Sequence, residues 1–536
     1  MADIVLINPR FEISYWGLEH AIRFLDAKAL LPVASLPLLA ALTPAGHRIT
    51  IIDENVEEID FDRCARADIV GLTGMNVQRL RMRSILAELK QRGIFTVVGG
   101  AWATVKEDDF ADLADVIFVG ESEETWPRFL AEWGEGRHQR RYEQSERTDM
   151  ATVPAPRLDL LPMGKYALGS VQFSRGCPFA CEFCDIIVTF GRRPRIKTSA
   201  QVIAELEGLM AVGKRTAFIV DDNLIGNKKA VKALLRDLIA WQQANLCPMT
   251  FSTEASIDLA EDAELMQLMA EANITQVFVG IETVNEAALR ETKKIQNLQD
   301  RSGTMLEKVH RIQEAGIEVW CGLIVGFDHD DPGIFAAQQR FVQEARIVHA
   351  MVNMLVAIPR TPLYRRLEAE GRLDLSAGFE AMGEFGTNIL PRGFSRDALR
   401  QGYIELMRDL YAPAAYFDRV DSLYLGLGMT PGRVKARALS RRPKRWLKAN
   451  ARLLLEAFAI LTLLTRGVPD PELRREYRRR MLRVLWRRRS PSVLQQYAIK
   501  CAMHFHVHTM VQQMMVHPQL AAESAAEAVA AVGAAA

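Results

Sequence analysis

Three cysteines stand close together in the stretch SRGCPFACEFCD, residues 174–185: Cys177, Cys181 and Cys184, separated by three and then two residues, with Phe183 before the last. Of the seven cysteines in the chain, no others cluster. Three thiolates can hold three irons of a four-iron, four-sulfur cluster and leave the fourth iron without a protein ligand, whereas electron-transfer clusters of this type normally take four cysteines. An open iron is a place where a substrate or cosubstrate can coordinate. A zinc site would want a fourth Cys or His at short spacing, and none lies between Cys184 and Cys247.

Such a loop needs a scaffold, and 536 residues suffice for two or three domains. With 49% hydrophobic and 25% charged residues the composition is that of folded protein, not of a disordered or fibrous chain. The opening MADIVLINPR lacks a charged-then-apolar leader, so a cytoplasmic, reducing setting is expected, where clustered cysteines bind metal rather than pair as disulfides. The apolar runs from Ala29 and Leu453 are broken by two prolines and by Glu456, and neither reads as a membrane span of about 20 residues.

Residues 1–140 alternate short β-rich runs (Ile4–Ile7, Ile49–Asp53, Ile69–Gly74, Thr96–Gly100, Val116–Gly120) with amphipathic helical patterns. Continuous apolar strands of this kind form a parallel sheet covered on both faces, a doubly wound α/β domain of Rossmann or flavodoxin type. Its ligand belongs at the strand carboxyl ends, at TGMN, GGAW and GES; without a GxGxxG fingerprint, a dinucleotide is disfavoured. Residues 141–165 turn proline-rich, as a linker would. From 166 to 395 a second series follows, with strands expected at 171–174, 218–221, 249–252, 277–280, 319–326 and 351–358 and a capping box at Thr198–Gln201. Six βα units make a partial (β/α)6 barrel, since a closed one has eight, and the missing units leave an open side. Residues 396–520 are helical and basic, with sixteen Lys or Arg against four Asp or Glu between Arg441 and Arg489, and 521–536 read as a loose, low-complexity tail.

CxxxCxxC after the first strand of a βα barrel, with Phe183 before the last cysteine, resembles the radical S-adenosylmethionine superfamily. The resemblance implies that Cys177, Cys181 and Cys184 ligate a [4Fe-4S] cluster whose open iron chelates S-adenosylmethionine, and that one electron then yields a 5′-deoxyadenosyl radical. The logic is that unactivated C–H bonds are beyond ordinary acid–base groups, so the cofactor carries the hard chemistry. By position, Phe183 would pack near the adenine, Asp221 and Asp222 would bind the methionine amino group, and Glu282 would contact polar groups of the cosubstrate. Glu254 and Gly326 are further strand-top candidates. For any one of these carboxylates, a salt bridge or helix cap is the competing reading.

The amino-terminal domain is similar to the cobalamin-binding domains that precede the barrel in one branch of the superfamily, through INPR, VVGGAWAT and VGESEETW. Glycines at strand ends let a bulky ring lie against bare backbone; read alone, they would simply make tight turns. The resemblance places Thr73, Gly74, Met75, Gly99, Gly100, Trp102, Gly120 and Glu121 near cobalamin. The Asp-x-His-x-x-Gly signature that supplies a histidine to cobalt elsewhere is absent, and His20, His47 and His138 lie in other contexts. Met75, Asn76 or a neighbour would therefore face the lower side of cobalt. Across roughly residues 1–420, CDIIVTFGRRPRIKT, VDDNLIGNKK and VGIETVNEAALRETKKIQN look like a bacterial subgroup whose relatives include the hopanoid C-2 methylases.

These resemblances imply a cobalamin-dependent radical methyltransferase acting on an unactivated carbon of an apolar, polycyclic or isoprenoid molecule, with flavodoxin or ferredoxin as electron donor. Cyclisation, rearrangement or oxidation without methyl transfer is the alternative. The basic helices, with Trp446, Phe458, Tyr477 and Trp486, suit peripheral contact with the inner membrane face, with a plain solvated helical bundle as the second reading. A nucleic-acid surface, and with it an RNA-modifying enzyme, ranks last, for no recognisable module is present. In HFHVH, His504, His506 and His508 cannot all share one helix face, which disfavours a metal there.

Overall fold

The computed structural model describes residues 1–298, 302–374 and 385–516; the expected tail at 521–536 lies outside them. The amino-terminal sheet holds β1 (Asp3–Asn8), β2 (Arg48–Asp53), β3 (Ile69–Thr73), β4 (Thr96–Gly99), β5 (Val116–Val119) and β6 (Arg141–Glu143) in the order β2-β1-β3-β4-β5-β6, all parallel. Five of these strands were expected. β6 falls in the stretch read as linker, because only Tyr142 of its three residues is buried and one apolar residue gives no periodicity. Strand order reverses between β1 and β3, so the crevice opens above Asn8 and Thr73.

The second sheet runs β7 (Gly169–Val171), then β10 (Thr216–Ile219), β11 (Thr250–Glu254), β12 (Ile274–Glu282), β13 (Glu318–Val325) and β14 (Ala350–Met354), each parallel to the next. Between β7 and β10, a two-stranded antiparallel ribbon of β8 (Ser174–Arg175) and β9 (Arg195–Ile196) ties off the loop that contains the cysteines. The Thr198 capping box is present: Gln201 N donates to Thr198 Oγ1 at 3.2 Å and Thr198 N to Gln201 Oε1 at 2.8 Å.

The six-stranded barrel is open between β14 and β7, and the amino-terminal domain fills that gap itself. The segment 11–34, which leaves the top of β1, reaches one edge through Tyr15, whose hydroxyl donates to Val352 O at 3.1 Å. It reaches the other edge through backbone pairing, Ala167 N to Ala29 O and Leu168 N to Leu30 O at 2.9 Å each. Between these anchors Trp16 packs on Phe278 of β12 and Phe218 of β10, ring centroids 5.1 and 6.1 Å apart. The open side of the partial barrel is thus covered by this strap.

Helices Arg396–Leu410, Pro413–Asp421, Arg433–Ser440, Pro443–Gly467, Pro471–Arg487 and Pro491–Val516 form the carboxyl-terminal region. The last is the central helix, buried on nearly every side, and its buried Lys500 is paired with Glu318 at 2.6 Å. Its histidines diverge: His504 meets the Tyr477 hydroxyl at 2.8 Å and Tyr411 O at 3.1 Å, while His506 meets Ser14 O at 2.9 Å. No helix among the described residues is long and apolar enough to cross a membrane.

Candidate active site

The cysteine loop is held by the two acids at the end of β10. Asp221 accepts from Phe173 N at 2.7 Å, Ser174 N at 2.8 Å and Ser174 Oγ at 2.6 Å. Asp222 accepts from Gly176 N at 2.7 Å. Gly176 has φ +91°, and any Cβ there would stand 2.9 Å from Gly191 O and 3.0 Å from Arg193 O, so the turn into Cys177 admits only glycine. The loop so wound brings Cys177, Cys181 and Cys184 to the wall of a cavity of about 1060 Å³. All three thiols are free of disulfides. Gln296 Nε2 lies 3.5 Å from Cys181 Sγ and Asn223 Nδ2 3.9 Å from Cys177 Sγ. Burial pushes the Cys177 and Cys184 thiols up, so ionising them requires positive charge nearby. Lys294 is the protein's own cation there: burial works against its charge, but Glu282 and the Cys181 and Cys184 sulfurs raise its pKa above the ordinary value. Among the described residues no three His, Cys, Asp or Glu side chains converge on a position for a single metal ion.

The predicted carboxylates divide by what they already hold. Asp221 lines the cavity, but its oxygens are committed to the backbone of the cysteine loop; burial pushes its carboxyl up to about 7 against those hydrogen bonds. Asp222 also lines the cavity, pushed to about 6 by burial, with one contact to Gly176. Glu254, at the end of β11, has no side-chain hydrogen bond or ion pair among the described residues; burial, then Asp222 and Asp221, push it up to about 8. Glu282 sits at a register shift in β12 with φ +65° and accepts from Lys294 Nζ at 2.7 Å. A side chain other than glycine at position 280 would collide with that Glu282 carboxylate. Left-handed backbone in a non-glycine residue costs of order 1 kcal/mol or more and is retained where geometry matters. Phe183 lines the cavity, its ring 6.2 Å from Phe327 and 5.9 Å from Lys294 Nζ.

Gly326 does not reach the site. Its φ is +99° and its N–H donates to Asp330 Oδ2 at 2.9 Å, so it makes the turn after β13 against Leu399 and is absent from the cavity wall.

The same cavity continues to the crevice of the first sheet, where Thr73, Gly74, Met75, Gly99, Gly100, Gly120 and Glu121 line it. Gly100, φ +94°, lies so close to β3 that a Cβ would stand 2.8 Å from Gly74 N and collide with Thr73 Oγ1. Gly120, φ +76°, has nothing within 4 Å of a Cβ position, bare backbone facing open space. Glu121 is committed elsewhere: its Oε1 accepts from Arg175 at 2.9 Å and Arg195 at 2.8 Å, and Oε2 from Thr148 N at 3.1 Å. Glu123 adds a second contact to Arg175 at 2.5 Å, so these acids join the first domain to the ribbon around the cysteine loop. Trp102 does not line the cavity. As the second residue of helix Ala101–Val105 it turns inward, 1% exposed, and donates from Nε1 to Asp109 at 2.8 Å.

Met75 stands at the cavity, 47% exposed, whereas Asn76 is outside the lining and accepts from Arg79 at 3.0 Å. His20 packs against His506, His47 accepts from Ala2 N, and His138 packs against Phe95; none lines the cavity. Sequence reasoning missed Lys294, Gln296, Asn223, Arg175, the strap residues Trp16 and Lys28–Ala34, and Ser35–Leu39 of the helix that follows, all on the cavity wall. Only Asn223, adjacent to the DD pair in VDDN, carried a local signal.

A set of three thiols, a half-buried glutamate with no side-chain partner among the described residues and a shelf of bare glycine backbone in one cavity suits a thiolate-held cluster, a cationic cosubstrate and a large flat ring. Family profiles match in the same order: a B12 binding domain over residues 25–130, the radical SAM superfamily over 171–335, and a domain of unknown function (DUF4070) over 361–519. Over 427 residues the chain is 39% identical to an uncharacterised methyltransferase of Synechocystis sp., spanning 79% of both chains. Over 424 residues it is 33% identical to the hopanoid C-2 methylase of Rhodopseudomonas palustris, spanning 78% of both. Among solved structures the cobalamin-dependent S-adenosylmethionine radical enzyme OxsB shares the fold, with a TM-score of 0.58 over 97% of this chain and 81% of that one at 14% identity.

The chain belongs to the cobalamin-binding radical S-adenosylmethionine family. Within it, this is an enzyme of the carbon-methyltransferase kind, and its cofactors are a [4Fe-4S] cluster, S-adenosylmethionine and cobalamin.

Proposed function

We propose that this enzyme methylates an unactivated carbon of an apolar polycyclic or isoprenoid molecule, using the one cavity for all its reactants. Cys177, Cys181 and Cys184 would hold the cluster. Asp222, Glu254 and Glu282 would bind the polar groups of S-adenosylmethionine, with Phe183 against its adenine. Asp221, whose oxygens are taken, acts by positioning the cysteine loop. Thr73, Gly74, Met75, Gly99, Gly100 and Gly120 would carry cobalamin, and Glu121 fixes the angle between the two domains. The bound groups together supply a radical that removes hydrogen from carbon and a methyl group that takes its place.

The observation that carries this reading is the continuity of the cavity, with thiols at one wall, bare glycines at another and the aromatic residues Trp16, Phe218 and Phe278 lining it as well. Those rings offer an apolar molecule the contacts it seeks, and holding the reactants in one cavity is what makes transfer between them fast. The electron would come from a flavodoxin or ferredoxin, and the enzyme would work at the cytoplasmic face of the membrane that stores such substrates. Anaerobic protein reconstituted with iron, sulfide and cobalamin, given labelled S-adenosylmethionine and a lipid extract, should form 5′-deoxyadenosine, S-adenosylhomocysteine and a methylated lipid. Deoxyadenosine without homocysteine or methylated product would overturn the reading.

A further inference from the structure

Helices Pro443–Gly467 and Pro471–Arg487 both pack on the central helix Pro491–Val516, and each spends one face there: Ala457, Ile460 and Leu464 on the first, Leu473, Tyr477 and Val484 on the second. Their outward faces are also apolar. On the first, Leu447, Leu455 and Phe458 follow one another at helical spacing, 64%, 71% and 49% exposed. On the second, Leu482, Leu485 and Trp486 stand at i, i+3 and i+4, and Trp486 is 79% exposed. Exposed large apolar side chains scattered singly need no explanation, but here eight of the sixteen on the described surface fall between Trp446 and Trp486.

The charges around them have one sign. Sixteen Lys or Arg face four Asp or Glu from Arg441 to Arg489. Three of those acids are used within their own helices, Glu456 by Arg452, Glu472 by Arg475, and Glu476 by Arg479 and Arg480; Asp470 caps its helix. Arg442, Lys444, Arg445 and Lys448 at the start of the first helix, and Arg478 and Arg487 on the second, have no ion-pair partner among the described residues. The core of a protein–protein interface is depleted of charge, and a second copy of this face would bring like charges together. Aromatic and leucine side chains set among arginines on a helix surface match the boundary of an anionic bilayer, where the apolar groups enter the acyl region and the cations meet the headgroups.

The location gives this surface a use. Arg23 Nη2 donates to Gly467 O at 3.5 Å, and a Cβ on Gly467 would stand 3.0 Å from the Phe24 ring. The end of the first helix therefore touches the strap 11–34, whose Trp16, Gly17 and Glu19 wall the cavity. We propose that the outward faces of helices 443–467 and 471–487 form an anionic-lipid docking surface that seats the enzyme on the bilayer with the strap beside it, so that an apolar substrate passes from membrane to cavity without crossing water. The role in substrate supply rests on the function proposed above; the docking itself does not.

The test uses the full-length, cofactor-loaded protein in sedimentation with vesicles of phosphatidylcholine alone and of phosphatidylcholine mixed with phosphatidylglycerol. Wild type should pellet with the mixed vesicles, remain in solution with phosphatidylcholine alone, and be released as salt rises. The double variants L455D/F458D and L485D/W486D should each lose at least tenfold in vesicle affinity. Their thermal unfolding, cobalamin content and substrate-free deoxyadenosine formation should match wild type, which separates lost docking from lost folding. Failure of wild type to pellet, or binding by the variants equal to wild type, overturns the proposal. So does a wild-type dimer that the variants convert to monomer, or salt-sensitive RNA binding without vesicle binding. Because docking is read without turnover, its failure leaves methyl transfer standing, and missing methylated product beside intact docking removes only the functional reading.

Discussion

Glu254 is a carboxylate with no side-chain partner among the described residues, in a cavity it shares with Asp221 and Asp222. Its folded pKa of about 8 lies above the ordinary 4.5, so between those values the folded protein keeps a proton that the unfolded chain has released. Stability then falls with rising pH across that window: the contribution is neutral below about 4.5 and becomes a growing penalty up to about 8. For cofactor-free protein, thermal melts should show this decline, to which Asp221 and Asp222 also contribute, and Glu254→Gln should make it shallower and raise stability at the upper end by about 1–3 kcal/mol. The same substitution should weaken S-adenosylmethionine binding at least tenfold by equilibrium dialysis, the usual opposition of stability and function in a site. The motif VDDN made its two acids equal candidates, yet the fold uses them differently. Asp221 is spent on three donors from the cysteine loop and Asp222 on one, because hydrogen-bond partners come from chain segments some 46 to 48 residues away.

At the scale of elements, Gly100 and Gly120 follow adjacent strands and both take positive φ, but for different reasons. Gly100→Ala places a methyl against β3 backbone and should cost about 2–4 kcal/mol, through strain plus a clash that backbone cannot relieve. Gly120→Ala meets no atom and should cost only about 1 kcal/mol from its φ, while its methyl projects into the cavity. Thermal unfolding and the cobalamin absorbance retained after gel filtration should separate the two: the first variant loses stability, the second loses cobalamin while staying folded. Long apolar runs announced the strands that carry these glycines and five of the six barrel strands likewise; the first, expected at 171–174, is Gly169–Val171, with Ser174 in the antiparallel ribbon instead. The ribbon β8–β9 and the edge strand β6 were invisible, because two or three residues give no period, and their pairing is decided by partners about 20 or more residues away.

For the whole molecule, the decisive feature is the junction between domains. Arg175, 8% exposed, bridges Glu121 and Glu123 of the first domain from the strand that leads into the cysteine loop. Arg175→Gln leaves two buried acids short of a cation and should cost about 3 kcal/mol. It should also loosen the domains, seen as faster proteolysis within residues 144–168, and leave deoxyadenosine formation less well coupled to methyl transfer in product ratios. The strap adds a second tie, since Tyr15 and Ala29 hold both edges of the open barrel.

The amino-acid order alone determined the three-cysteine motif, the two βα series, their sequence along the chain and the family, because cysteine spacing and apolar periodicity are properties of near neighbours. Tertiary structure decided which predicted residues face the cavity. It removed Trp102 to the core and Gly326 to a turn, engaged Glu121 and Asp221 in structural roles, left Glu254 without a side-chain partner among the described residues, and brought in Lys294 and Trp16. Those outcomes depend on which distant groups claim each lone pair and each apolar face, and contacts of that kind exist only once the chain has folded.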